Sequence, residues 1–158
     1  MANTQSMCTS FMGELFTATH NFGVAPIRAA TTADTFKAAL YLASATINAA
    51  TTAYSSTGEV TGTNYTAGGV TVTNGTAPIA TNSSATAGVA YWTPSASFVY
   101  TNVTLSTAFD TALLYNSTQS DKAVSVHTFG SQTITAGTFT LTMPSNTTTT
   151  ALLRLSTT

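Results

Sequence analysis

Proton transfer, metal binding or nucleophilic attack would have to come from very few side chains of this chain. They are Glu14, Asp34, Glu59, Asp110, Asp121, His20, His127 and Cys8. Paired carboxylates could share general acid and base work, but these five lie far apart and none sits in a motif. The histidines fall in no HExxH or comparable spacing, so Cys8, His20 and His127 make a metal site on paper only. His127 is expected as a strand-face residue with a hydrogen bond. No serine lies in a Gly-x-Ser-x-Gly elbow. One cysteine rules out a disulfide within the chain. No enzyme activity, metal or cofactor is expected.

Four of the ten glycines fall in residues 58 to 69: Gly58, Gly62, Gly68 and Gly69. The stretch matches neither a dinucleotide fingerprint nor a P-loop, because no Lys-Ser/Thr follows to reach a phosphate. Clustered glycines signal positive φ, or another segment packing on bare main chain. The stretch is therefore expected as a compact connection that sets how the first strand meets the rest of the fold. Glu59 lies inside it. A carboxylate there can accept backbone N–H bonds and staple the turn, so a structural role is expected in preference to a catalytic one. Tyr54 and Tyr65 are expected to anchor the connection, rings buried and hydroxyls bonded.

The elements around this loop read as β-structure. Residues 34 to 43 alternate Phe36, Ala38, Leu40 and Leu42 with Lys37, Ala39 and Tyr41, which predicts a first strand. Further strands are expected at 70–73, 89–93, 97–105, 108–115 and 122–129. A bulge is expected near Asn102, where the apolar parity switches. Residues 132 to 143 read as two short strands or one bent at Ala136-Gly137, and residues 75 to 88 as a small-residue loop. Seven to nine short strands predict an all-β fold, an antiparallel sandwich or barrel. The N-terminal segment, residues 1 to 33, differs. Phe11 and Leu15 recur at helical spacing with Phe16 alongside, predicting a short helix over 11–18. It either packs on its own domain or docks on a neighbour. The tail, 145 to 158, carries Leu152, Leu153 and Leu155, which need cover from a last strand pairing or from another protein. Residues 34 to 144 form the body between these two ends.

Composition limits the partners. Charged residues make up 6% of the chain, net charge is −1, and 43% of residues are apolar. Nothing steers such a chain toward nucleic acid or an anionic membrane. No apolar run approaches the roughly 20 residues that span a bilayer. Hydroxyl groups of Thr and Ser replace charges, and near-zero net charge favours association. Much of this surface is expected to be covered by like or unlike subunits.

The order of several segments resembles a family of small tailed-phage virion proteins. The matching stretches are Cys8 to Leu15, His20-Asn21-Phe22, Asp34 to Tyr41 and Thr52 to Gly69. Leu114-Tyr115-Asn116, Lys122-Ala123-Val124 and Gly137 to Pro144 follow in the same order. The resemblance runs nearly the full length and is most specific over Glu59 to Gly69. The threonine-rich tail and the 75–88 loop depart from it. The resemblance implies a capsid cement or decoration protein with a jelly-roll-like β-sandwich, on the outside of the head and assembled in the host cytoplasm. Its expected partners are the phage major capsid protein and itself, as a homodimer or homotrimer. The expected contacts are Phe11, Leu15, Phe16, Phe22, Leu152, Leu153 and Leu155. A tail or fibre component that binds a host receptor is the second reading, and a sugar-binding module using Trp92 and its aromatic neighbours is a third.

Overall fold

The computed structural model describes residues 3–8, 11, 15, 19–20, 22, 33–81 and 88–156. Eight strands build the described fold: β1 (Ser6–Met7), β2 (Phe36–Leu42), β3 (Val70–Thr71), β4 (Ile79–Ala80), β5 (Val89–Trp92), β6 (Phe98–Asn116), β7 (Lys122–Leu141) and β8 (Leu153–Ser156). They form two antiparallel sheets, one of five strands in the order β1-β7-β6-β2-β3 and one of three in the order β4-β5-β8.

A two-strand ribbon is the spine of the larger sheet. β6 and β7 pair from Phe98↔Leu141 to Asn116↔Lys122, closed by the turn at 117–121. Four expected strands are thus two long ones. The expected breaks survive only as irregularities in the register, at Leu105/Phe109 and Phe109/Thr111, and the register also shifts at Tyr100/Val103 and Val103/Leu105. Asn102 and Ala136 take φ of 52° and 47° there. Asparagine tolerates that left-handed region better than most residues, because its short side chain bonds locally.

β2 lies against the turn-proximal half of β6, with Ala39 opposite Leu113. Its alternating sequence suggested one buried face, yet Ala38, Ala39, Leu40 and Tyr41 are all buried. The reason is cover on both faces by other elements. Phe36, Phe109, Leu113, Leu114, Val124 and Val126 complete the centre of the core.

The smaller sheet joins through aromatic rings. Phe22 stacks on Phe36 at 4.4 Å between centroids and meets Trp92 edge-on at 4.7 Å. Ile79–Ala80, expected within a loop, is a strand because it pairs with Tyr91 and Ala90. Two residues carry no period that a sequence could display. β8 pairs back on β5, Leu153 opposite Trp92 and Leu155 opposite Ala90. Phe11 and Leu15 have helical backbone, one turn apart, while the rest of the helix expected over 11–18 lies outside the described residues.

Candidate functional site

The loop at 58–69 closes around a buried carboxylate. It runs along β2, with Leu42 N–H donating to Gly58 O and Val60 N–H to Leu40 O, then reaches β6 where Thr104 N–H donates to Thr63 O. Gly58, Gly68 and Gly69 have φ of 78°, 86° and 73°. Glu59 is 6% exposed. Its Oε1 accepts from the Tyr65 hydroxyl at 2.8 Å and from Gly68 N–H at 2.7 Å. Its Oε2 accepts from the Tyr54 hydroxyl at 2.6 Å.

More tyrosines surround this group. Tyr100 donates to Ala38 O at 2.7 Å, Tyr115 to Gly68 O at 2.8 Å, and Tyr41 to Ser55 O at 2.6 Å. Tyr54 stacks on Tyr115 and Tyr65 on Tyr100. Burial pushes the Tyr41 phenol up to about 12. Burial, with the Glu59 carboxylate adding to it, also raises Tyr54, Tyr65 and Tyr100, and burial with Asp121 raises Tyr115. All five phenols therefore stay protonated donors at neutral pH. No phenol is poised to lose its proton, and the cluster holds the loop through its hydrogen bonds. Glu59→Ala should leave three donors without their acceptor and cost about 3–5 kcal/mol, read as a lower urea midpoint. Glu59→Gln, which keeps one acceptor oxygen, should cost less.

A second buried polar cluster escaped sequence reasoning. Asn116 donates to Asp34 Oδ2 at 2.9 Å and lies 3.1 Å from His20 Nδ1, while Gln119 donates to Asp34 Oδ1. Asn116 is fully buried, and its own oxygen accepts Thr118 and Gln119 N–H, closing the turn between β6 and β7. Partners 82 residues apart leave no local signal.

His127 bonds Ser125 Oγ through Nε2 at 2.8 Å, beside a cavity of about 310 Å³ that Gln5, Ser6 and Arg154 also line. Burial lowers the imidazole to about 4, so the ring is neutral at pH 7 and a weak base. Among the described residues no carboxylate hydrogen-bonds to it. Among the described residues, no third group orients the ring as serine activation requires. Among the described residues, no three of His, Cys, Asp and Glu come together in a way that could hold a metal. Cys8 is fully buried.

The strongest feature for binding is an apolar groove of about 210 Å³. Phe11, Leu15, Phe22, Trp92, Leu153 and Leu155 are among the residues that line it. The two segments expected as contacts, separated by more than a hundred residues, thus meet in one place. Phe11, Phe22 and Leu153 are buried, so they form the floor and are not free contacts. Leu155 is 40% exposed, and Ile79 on the same sheet is 42% exposed. Leu152 is apart from them: it lines the other cavity, with its N–H on Thr93 Oγ1. Phe16 lies outside the described residues. No described helix is long and apolar enough to cross a membrane.

The molecule thus belongs to the class of all-β proteins with two antiparallel sheets. Comparison with protein-family models, with curated proteins and with solved structures finds no match.

Proposed function

We propose that this chain is a phage virion structural protein, a capsid cement or decoration protein of jelly-roll-like sandwich form. In this reading it sits on the exterior of the head, bridges neighbouring major capsid subunits and associates with copies of itself. It uses no cofactor and binds neither nucleic acid nor membrane.

The observation that carries the reading is the groove between the N-terminal segment and β8. An apolar cleft with exposed Leu155 at its lip suits a protein partner that inserts apolar side chains. The low surface charge suits contact with a shell, because few ions would need desolvation. Binding energy alone does the work. Each copy adds contacts that internal pressure must break, and many symmetric copies act together through avidity.

The test is occupancy of purified heads. Leu155→Arg changes a half-exposed side chain and should leave the fold intact, yet reduce bound copies per head on the order of 10-fold or more. Unchanged occupancy would remove the groove from the proposal. Copy number separates this reading from the tail or fibre reading: hundreds per virion place the protein on the head, a handful on the tail.

A further inference from the structure

The apolar groove and the cavity beside His127 adjoin, because Met7, Leu153 and Arg154 line both. Arg154 therefore stands at their junction, one of only four Lys and Arg residues in the chain. The groove holds about 210 Å³ and the cavity about 310 Å³. Each alone is near or below the lower limit of the roughly 300–1,000 Å³ usual for ligand sites, and together they lie within it.

The two halves differ in chemistry. The groove offers aromatic and aliphatic surface, whereas the cavity holds hydrogen-bond donors that the fold does not use. Arg154 is exposed and gives one of its five N–H groups to Thr149 O at 2.9 Å. Gln5 accepts from Thr128 through Oε1, which leaves its amide N–H groups. Ser125, 2% exposed, and His127 share one hydrogen bond between Oγ and Nε2. The neutral ring brings one N–H and the hydroxyl one O–H, so whichever of them donates, the pair keeps the other. Among the described residues no Asp or Glu lines either half.

We infer that this junction takes a carboxylate, carried by the same protein segment whose apolar side chains fill the groove. Charge complementarity decides the occupant. A purely apolar segment would strip water from Arg154 and put nothing in its place, which costs free energy. A cationic segment would add repulsion. An Asp or Glu beside apolar residues fills the groove and meets the guanidinium in one step, through two parallel N–H···O bonds. The Gln5 and Ser125–His127 donors reach the remaining lone pairs. The inference rests on the proposed function for the identity of the partner, the major capsid protein, and deepens it by stating the chemistry of the contacting segment.

Trp92 is the only tryptophan and lines the groove, so its fluorescence reports occupancy. The full chain and Arg154→Gln are titrated with octanoate and with octanol, whose tails match and whose heads differ. The wild type should bind octanoate on the order of 10-fold more tightly than octanol, and Arg154→Gln should bring the two to parity. Equal affinities in the wild type, or a preference that survives in Arg154→Gln, would overturn the carboxylate site. The wild-type comparison needs no variant, and Arg154→Lys, which keeps the charge but not the fork, should retain part of the preference. On purified heads Arg154→Gln should lower occupancy on the order of 10-fold. Full occupancy by a variant that has lost the octanoate preference would mean that the site takes small aliphatic acids, and would overturn the protein occupant. Loss of occupancy in Leu155→Arg but not in Arg154→Gln would leave the capsid reading standing while the inference fails.

Discussion

Gly69→Ala should remove the native state at ordinary temperature. A Cβ there would lie 1.7 Å from Ala38 O and 2.5 Å from Ala38 C, both backbone atoms of β2. The residue also has φ of 73°, which alanine adopts only at a cost of roughly 1–2 kcal/mol. The clash outweighs that strain, because a strand buried on both faces cannot shift away. Relief would require the loop to lift from β2, breaking the Gly68 bond to Glu59 and the Tyr115 bond to Gly68 O. A loss on the order of 4 kcal/mol or more is expected, within reach of a small domain's whole stability. Thermal unfolding followed by circular dichroism checks it. Gly130→Ala is the control, since a Cβ at Gly130 meets nothing within 4 Å. A variant at 69 that melts with the wild type would mean the loop does not rest on β2.

Alkaline pH should unfold the protein sharply. Tyr41, Tyr100 and Tyr115 are buried, with burial raising each phenol above its usual 10. The unfolded chain ionises first as pH rises, so it binds fewer protons than the native state there. Stability is therefore complete below pH 10 and falls from about 10 toward the folded values, about 12 for Tyr41. Each such tyrosine removes about 1.4 kcal/mol per pH unit, so these three together remove about 4. Tyr54 and Tyr65 act in the same direction. Urea midpoints should hold steady to pH 10 and then drop steeply, with the tyrosinate absorbance of the five cluster tyrosines, followed in a Tyr91→Phe background, rising only as the fold is lost. Tyrosinate appearing in a Tyr91→Phe chain that keeps its native spectrum would contradict the burial of the cluster.

Local periodicity made the β class readable. The strand expected at 34–43 is Phe36–Leu42, the irregularity near Asn102 is a register shift, and Ala136 marks the bend at 136–137. Each of these rests on neighbours within a few residues, so the chain displays it directly. The continuity of β6 through residues 105 to 108 was not readable, because β7 carries the pairing across a shift that looks locally like an end. The two-residue strands were equally silent.

Glycine content by itself set where the chain must bend and come close to another backbone, since only a residue without Cβ tolerates that. Side-chain chemistry alone likewise made a β-rich, weakly charged molecule, because branched and hydroxyl-bearing residues suit a pleated surface. Which backbone those glycines touch was decided by tertiary structure. So was the ring of tyrosines that Glu59 gathers, and so was the meeting of Phe11 and Phe22 with Leu153 and Leu155 in one groove. Such contacts join residues tens to more than a hundred positions apart. Their energy exists only after the sheets have closed, so no stretch of sequence carries it alone.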